Sequence, residues 1–254
     1  MNSAREVQSN QEGPFKDLEK WVRKYAATEY RRPIADHTRK AFAEAEQFIE
    51  DFSASRTVIL DSGCGTGEST LHLARKFPDC PVIGIDKSAI RLDKAGRVFD
   101  TAQSRDTEAQ TNIARQNAPK NICFIRAELI DFWRLALNKV TSGQWVIPYH
   151  ALYYPNPWPK QSEAGRRFHL HPIFPTLLQL AQETELRTNW KTYAQEFAQA
   201  ANILQKMPVS DCFPSSRVAM TINSEAFEPE QPISAFERKY KNARQQLWRV
   251  MVHR

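Results

Sequence analysis

The chain has 254 residues, of which 41% are hydrophobic and 25% charged, and both values are ordinary for a globular protein. This length allows one large α/β domain or two smaller ones. The net charge of +6 is compatible with a polyanionic partner but does not require one. No apolar run approaches the roughly 18 residues of a membrane span, and the polar start does not resemble a signal peptide, so we expect a cytoplasmic protein without a membrane association.

The cysteines and histidines favour structural roles. No CxxC pair occurs among the four cysteines, which we predict to be reduced, isolated thiols: Cys64, Cys80, Cys123 and Cys212. His169 and His171 have a spacing that a metal could use. No third ligand lies nearby in the sequence, so packing or surface histidines are favoured and no metal site is predicted.

The predicted elements follow one another in a regular order. Residues 1–14 are predicted to be disordered and residues 15–52 to form a helical extension. After these, β-branched runs predict strands and amphipathic runs predict helices, in the order strand 57–61, helix 68–77, strand 81–86, helix 87–102, strand 122–126, strand 144–154, helix 173–182, strand 184–188 and helix 190–207. The polar segment 103–120 predicts a helix extension and a loop, and Pro148 stands before the fourth strand or at a bulge in it.

This alternation predicts the fold class. Strands that alternate with helices imply βαβ units, and two final strands over 217–222 and 246–252 could form an antiparallel pair. We therefore predict an α/β fold, in which residues 53–254 form a doubly wound, mainly parallel Rossmann-like sheet of about seven strands. The helical N-terminal extension precedes it.

A glycine-rich segment, LDSGCGTG, follows the first predicted strand and precedes a helix. Gly63, Gly65 and Gly67 allow a tight turn and a close approach of backbone N–H groups to a ligand. Asp86 ends the next strand, where Rossmann-like folds place a carboxylate that accepts the ribose hydroxyls. The pattern predicts a nucleoside cofactor site, with a purely structural turn as the alternative.

The spacing within this glycine loop (residues 63–67) favours one class of cofactor. It is G-x-G-x-G and not the dinucleotide pattern G-x-G-x-x-G, and Asp61 before it would repel a pyrophosphate. The pattern resembles motif I of class I S-adenosylmethionine-dependent methyltransferases. This implies S-adenosylmethionine as the cofactor, with Asp61 at its methionine end, Asp86 at its ribose and Glu128 near its adenine amine. Glu128 could equally be a first-turn helix residue, and a nicotinamide-dependent dehydrogenase is a weaker alternative.

Three prolines stiffen the segment YYPNPWPK, residues 153–160, which we call the proline loop. Its Pro-Asn-Pro-Trp-Pro-Lys string, with the Arg pair at 166–167, resembles the P-D-P-W-P-K motif and following basic stretch of bacterial tRNA (guanine-N7-)-methyltransferases. Residues 188–190 resemble the family's T-D-W, and residues 234–237 resemble its T-x-F-E. These blocks keep the family's order over most of the chain.

The resemblance implies a methyltransferase that forms 7-methylguanosine at position 46 in the tRNA variable loop. It implies tRNA as the partner, and the sequence leaves open whether the protein is a monomer or a homodimer. Asn156 and Lys160 would be catalytic, with Asn156 also beside the cofactor. The implied substrate-binding residues are Lys160, Arg166, Arg167, Asn189, Ser234, Phe236 and Glu237. Lys160, Arg166 and Arg167 would contact phosphates of the tRNA, although these basic residues could equally belong to a solvated helix face.

Several departures from the family pattern leave other functions open. Asparagine replaces the family's aspartate at Asn156 and Asn189, and NARQQLW (242–248) replaces an expected Gly-His. Asn-Pro followed by an aromatic also resembles the loop of methyltransferases that act on exocyclic amines, although Trp158 could equally be a core side chain. One alternative is a diverged methyltransferase acting on another base amine or a small molecule. Another is a cofactor- or RNA-binding paralogue with weak catalysis.

Overall fold

The computed structural model describes residues 6–52, 56–104, 119–212 and 219–254. Its helices are α1 (Leu18–Ala26), α2 (Asp36–Phe52), α3 (Glu68–Lys76), α4 (Ala89–Ser104), α5 (Leu129–Thr141), α6 (Phe174–Leu180), α7 (Lys191–Lys206) and α8 (Ala235–Asn242). Its strands are β1 (Ile59–Ser62), β2 (Val82–Asp86), β3 (Ile122–Arg126), β4 (Tyr149–Tyr153), β5 (Glu183–Thr188), β6 (Thr221–Phe227) and β7 (Leu247–His253). Short 3₁₀ helices cover Gln161–Arg166, Phe168–Leu170 and Val209–Asp211.

The strands form a seven-stranded sheet in the order β3-β2-β1-β4-β5-β7-β6. β2 pairs in parallel with both β1 and β3. β7 pairs antiparallel with β5 and with β6. The predicted α/β fold, a mainly parallel Rossmann-like sheet of seven strands, is confirmed, and so is its antiparallel final pair.

By contacts between residues, the chain divides into two compact units. The first contains Met1–Pro33 and Ala151–Arg254, and the second contains Ile34–His150. The two helices that fall within the predicted extension belong to different units. α1 packs against α7 in the first unit, whereas α2 packs against β3 and α5 in the second.

Aromatic and aliphatic side chains build the core of the second unit. Every residue of β1 and β2 is buried, as expected for central parallel strands that are covered on both faces. Phe42 on α2 stacks on Trp145 with ring centroids 5.1 Å apart and meets Phe132 edge-on at 5.0 Å. These contacts hold α2 and α5 in place around the strands that carry the glycine loop.

The first unit buries one face of α7, which includes Tyr193, Phe197 and, unusually, Glu196. The N-terminal segment also belongs to this unit. The predicted disorder of residues 1–14 does not apply to Ser9 and Gln11, because the Ser9 hydroxyl donates to the Pro159 carbonyl at 2.6 Å and Gln11 hydrogen-bonds Glu196.

Some predicted boundaries differ from the structure. None of the predicted elements covers α5, whose buried face includes Phe132 and Trp133. β4 is shorter than predicted because Pro148 has no N–H to donate, and β4 begins directly after it. β6 extends to Phe227 instead of ending at residue 222, and residues 217–218 of that prediction lie outside the described residues, as does most of the predicted loop 103–120.

Three further observations bear on the predicted class of protein. All four cysteines are free, as predicted. None of the helices in the described ranges is both long and apolar enough to cross a membrane. Within the same ranges, no group of three or more His, Cys, Asp or Glu side chains is arranged to hold a metal ion.

Candidate functional site

The glycine loop lies in the second unit, between β1 and α3. Gly63, Gly65 and Gly67 have backbone φ angles of +79°, +58° and +80°, which residues other than glycine rarely adopt. A Cβ on Gly67 would also lie 2.7 Å from the ring of Phe124, so this position excludes any side chain. The N–H groups of Gly63 and Cys64 donate to the Ile85 carbonyl at 2.7 and 3.0 Å, which fixes the loop against β2.

Asp86 ends β2 and faces the glycine loop. Its side chain is nearly buried, and it accepts hydrogen bonds from the N–H groups of Gly65 at 3.1 Å and Ser88 at 2.8 Å. Arg91 lies 3.6 Å from the carboxylate. A carboxylate has about four lone-pair positions, so two remain for hydroxyl donors. This arrangement supports the predicted contact of Asp86 with a ribose.

Asp61 is the second buried acid of this region. Its Oδ2 accepts hydrogen bonds from the hydroxyls of Ser69 and Thr70, both at 2.7 Å. Its Oδ1 is buried and has no hydrogen-bond partner among the described residues. Burial raises the pKa of Asp61 to about 6, and Asp86 adds to the rise, against the two hydroxyl hydrogen bonds. A buried oxygen without a partner is suited to accept from a ligand donor.

A buried polar contact that the sequence did not predict supports the start of the glycine loop. The Ser62 hydroxyl lies 2.8 Å from Nε2 of His150 and accepts from the indole N–H of Trp133 at 2.9 Å. Burial lowers the pKa of His150 to about 3, so the ring is neutral at physiological pH. These two side chains fix Ser62, the residue directly before Gly63. No motif signals this contact, because it joins three elements far apart in the sequence.

Glu128 stands at the N-cap of α5 and is exposed. Its side chain makes no cap hydrogen bond, while its backbone N–H approaches the Thr38 hydroxyl at 3.4 Å. It therefore precedes the first turn of α5, and its exposed carboxylate has no hydrogen-bond or ion-pair partner among the described residues. Its predicted place near an adenine amine stays a prediction.

The proline loop lies in the first unit and is fixed by hydrogen bonds as well as by its prolines. The side-chain oxygen of Asn156 accepts from the Trp158 N–H at 3.3 Å. Tyr154 and Trp158 have φ angles of +52° and +46°, which are unusual for bulky residues. Asn156 and Lys160 are both exposed on this rigid segment, as their predicted roles require.

The two arginines of the predicted phosphate-binding pair differ sharply. Arg166 is exposed, lies 3.3 Å from Glu163 and places its guanidinium 4.4 Å over the half-buried ring of Trp158. Arg167 has no exposed side-chain surface and binds both carboxylate oxygens of Glu196, at 2.8 and 2.7 Å. The prediction that Arg167 contacts a phosphate is therefore wrong, because a buried and paired guanidinium cannot reach one. Lys160 and Arg166 stay predicted phosphate contacts.

The T-x-F-E-like block begins α8, and two of its residues have structural roles. The Ser234 hydroxyl caps the helix by accepting from the Glu237 N–H at 3.2 Å. The buried carboxylate of Glu237 accepts from the Tyr154 hydroxyl at 2.9 Å and from Arg187 at 2.7 Å. The predicted substrate contact of Glu237 is therefore corrected to a structural role, since its side chain has no exposed surface. Phe236, with 49% of its surface exposed, remains available to a substrate.

Two residues that differ from the family pattern, Asn189 and Gln245, contact each other. The side-chain N–H of Asn189 donates to the side-chain oxygen of Gln245 at 3.1 Å. Gln245 belongs to the segment NARQQLW that stands in place of the expected Gly-His. The two replacements thus form one neutral amide pair in the first unit, and a substrate role for Asn189 stays a prediction.

The class of protein follows from the fold and the glycine loop together. A mainly parallel seven-stranded sheet, a G-x-G-x-G loop after β1 and a buried acid at the end of β2 define a Rossmann-like methyltransferase. The chain belongs to the family described as "Putative methyltransferase", whose sequence profile matches residues 55–250.

Curated relatives agree with this class. A tRNA (guanine-N(7)-)-methyltransferase of Mycolicibacterium gilvum (strain PYR-GCK) is 26% identical over 74% of this chain and 64% of its own length. A trans-aconitate 2-methyltransferase of Yersinia pestis (strain Pestoides F) is 33% identical over 39% of this chain and 37% of its own length. The chain spans about half the length of most of the curated tRNA methyltransferases that it matches. The match to the Mycolicibacterium gilvum protein agrees with the family predicted from the proline loop.

Among solved structures, one titled "Structure of an Antibiotic Related Methyltransferase" aligns with a TM-score of 0.49 and 13% identity, over 91% of this chain and 98% of that one.

Proposed function

We propose that this protein transfers a methyl group from S-adenosylmethionine to N7 of a guanine in tRNA. The observation that carries the proposal is the proline loop, which keeps the P-x-P-W-P-K string and holds Asn156 and Lys160 exposed on a rigid backbone. The relative from Mycolicibacterium gilvum carries the name of this activity. Family and sequence motif thus support the same reaction.

The residues of the second unit fit the cofactor. S-adenosylmethionine would supply a sulfonium methyl group that is open to attack by a nucleophile. Asp86 has lone pairs left for two ribose hydroxyls, and the partnerless Oδ1 of Asp61 suits a donor such as an α-amino group. The three glycines of the loop carry no side chains, which would allow a ligand to approach the backbone closely.

The acceptor chemistry places few demands on the protein. Guanine N7 has an in-plane lone pair and carries no proton, so no general base is required, and the protein's task is to hold N7 in a near-attack position. Asn156 would accept one hydrogen bond from the Watson–Crick edge of the guanine, and Lys160 and Arg166 would bind backbone phosphates. The stacked Arg166–Trp158 pair offers a planar surface beside them.

A second candidate is a methyltransferase that acts on another base amine or on a small molecule. It is favoured by Asn156, which lacks the charge of the family's aspartate, and by the neutral Asn189–Gln245 pair. The similarity to a trans-aconitate methyltransferase points in the same direction. A paralogue that binds its ligands with weak turnover would show cofactor binding without methyl transfer.

The test is to incubate the protein with methyl-labelled S-adenosylmethionine and bulk tRNA and to analyse the digested nucleosides by mass spectrometry. The proposal predicts label in 7-methylguanosine. Label in another nucleoside would favour the second candidate. Cofactor binding without label in any nucleoside or small-molecule pool would favour the weak paralogue.

A further inference from the structure

A group of four polar side chains, three of them buried and one half-buried, lies beneath the proline loop in the first unit. We call Gln11, Arg167, His169 and Glu196 the Glu196 cluster. The Glu196 carboxylate accepts hydrogen bonds from Gln11 at 2.5 Å, His169 at 2.8 Å and the Phe15 N–H at 2.7 Å, in addition to both contacts with Arg167. Glu196, Arg167 and His169 have essentially no exposed surface. Such a carboxylate is fully satisfied and fixed in position.

The surroundings of Glu196 and His169 determine which of these two side chains is charged. Burial opposes the ionisation of Glu196, but the hydrogen bonds from His169 and Arg167 and the charge of Arg167 prevail and lower its pKa. Burial lowers the pKa of His169, although Glu196 opposes this, and the neutral ring donates from Nε2. The cluster is therefore one buried ion pair with neutral donors around it, and each member constrains the others.

The cluster holds the backbone of the proline loop directly. The Trp158 carbonyl accepts from Nε and Nη2 of Arg167, at 3.2 and 2.9 Å. The next carbonyl, that of Pro159, accepts from the Ser9 hydroxyl at 2.6 Å. Gln11 links these contacts, because its side-chain oxygen accepts from Arg167 at 3.2 Å and its backbone N–H donates to the Ser9 hydroxyl. Two consecutive carbonyls between Asn156 and Lys160 are thus anchored from inside the unit.

We infer that Glu196, Arg167, Gln11 and Ser9 are positioning residues, which aim Asn156 and Lys160 by fixing the Trp158 and Pro159 carbonyls. The N-terminal residues 9–15 then support the conformation of the proline loop, which would bind the substrate. This inference rests on the proposed function for its kinetic consequences. Its structural consequence, a proline loop that loosens when the anchors are removed, does not depend on which substrate the protein methylates.

The test uses full-length variants that spare the buried ion pair. Ser9→Ala removes the bond to Pro159, and Gln11→Met keeps the shape of the side chain but removes its contacts with Glu196 and Arg167. Ser9→Thr is the conservative variant that restores a hydroxyl. Gln47→Met, at an exposed glutamine of α2, is the control for the glutamine change.

The expected result is a loss in kcat without a matching loss of binding. For Ser9→Ala and Gln11→Met we expect kcat on tRNA to fall about tenfold, because small misplacements of a positioned group are costly. The KM for tRNA and the affinity for S-adenosylmethionine should stay within about twofold of the wild type. Ser9→Thr should recover most of the kcat, and Gln47→Met should match the wild type.

Hydrogen exchange of peptides from the proline loop gives a readout that is independent of activity. Faster exchange in Ser9→Ala and Gln11→Met, with unchanged exchange in the second unit, supports positioning. Unchanged exchange together with unchanged kcat would overturn it, and so would losses of kcat that only follow the unfolded fraction measured by thermal unfolding. If the wild type methylates no tRNA, the proposed function fails, while the exchange result still decides the positioning role.

Discussion

Arg167 and Glu196 form a salt bridge of 2.7 Å in which neither side chain has any exposed surface. The adjacent Arg166 pairs with Glu163 at 3.3 Å, but 60% of the Arg166 side chain is exposed. The two neighbours in one Arg-Arg pair therefore have opposite roles. Arg167 belongs to the interior of the first unit, and Arg166 is available to a partner.

This difference predicts two very different effects on stability. Arg167→Gln leaves the Glu196 carboxylate buried without its counter-charge, and we expect the free energy of unfolding to fall by about 3–5 kcal/mol. Arg166→Gln, the matched control, should cost no more than about 1 kcal/mol, since an exposed ion pair is screened by solvent. Urea denaturation of both variants measures the difference. Equal losses would contradict the assignment of Arg167 to the interior.

The buried carboxylate of Asp61 is expected to lower the stability of the protein while it strengthens cofactor binding. Because burial raises its pKa to about 6, the folded state favours the protonated carboxyl of Asp61 over the charged one. The contribution of this carboxyl to stability is therefore fully present below its ordinary pKa of 3.8 and is lost as the pH rises through about 6. A shift of this size corresponds to a cost on the order of 2–3 kcal/mol at pH 7. Asp61→Asn keeps an oxygen for Ser69 and Thr70, so the variant should be more stable than the wild type at pH 7.

The same variant should bind S-adenosylmethionine more weakly, because the charged Oδ1 is replaced by an amide. Urea denaturation at pH 5 and pH 7, together with calorimetry of cofactor binding, checks both parts. The stability gain should shrink towards pH 4, where the wild-type carboxyl is protonated. A gain that is the same at both pH values would exclude a charge effect at Asp61.

Asp86→Asn tests the ribose contact. The amide removes the charge that strengthens hydrogen bonds to hydroxyls, and we expect the affinity for S-adenosylmethionine to fall about tenfold or more. Asp93→Asn, at an exposed position on α4, is the control for the loss of one negative charge. Calorimetry that gave equal affinities for Asp86→Asn and wild type would remove Asp86 from the cofactor site.

The exposed basic residues of the proline-loop region predict a salt-dependent affinity for tRNA. Lys160→Gln and Arg166→Gln should each reduce the slope of log affinity against log salt by about one, because each variant neutralises one phosphate fewer. Lys206→Gln, at the exposed end of α7, changes the net charge equally and should leave the slope unchanged. Binding that does not depend on salt would favour a small-molecule substrate.

The fold could be predicted because its signals are local. The glycine loop, the buried run of β2 and Asp86 lie close together in the sequence, and β-branched residues occur in β1, β2, β3 and β5. The Glu196 cluster could not be predicted in this way, because Gln11 and Glu196 are 185 residues apart and nothing in either segment indicates the other. The Arg-Arg pair shows the same limit, since sequence spacing does not reveal which arginine is buried.

Asn156→Asp separates the two candidate substrates. Aspartate can keep the hydrogen bond from the Trp158 N–H, so the loop should retain its conformation. If the protein methylates guanine N7, the restored carboxylate should raise the formation of 7-methylguanosine by a factor that corresponds to about 1–3 kcal/mol of charged hydrogen bonding. If Asn156 accepts from an exocyclic amine, the new charge should lower activity on that substrate. Nucleoside analysis of wild type and variant distinguishes these results, and a fall on every substrate would show that the asparagine itself is required for activity.

The most direct measurement compares two tRNA transcripts, one made with guanine and one with 7-deazaguanine, which pairs normally but has a C–H group in place of N7. Methyl transfer from labelled S-adenosylmethionine is followed on both at equal tRNA concentration. The proposed function predicts label on the guanine transcript and none above background on the 7-deazaguanine transcript. Equal labelling of the two would show that the methyl group goes to another atom and would contradict methylation at guanine N7.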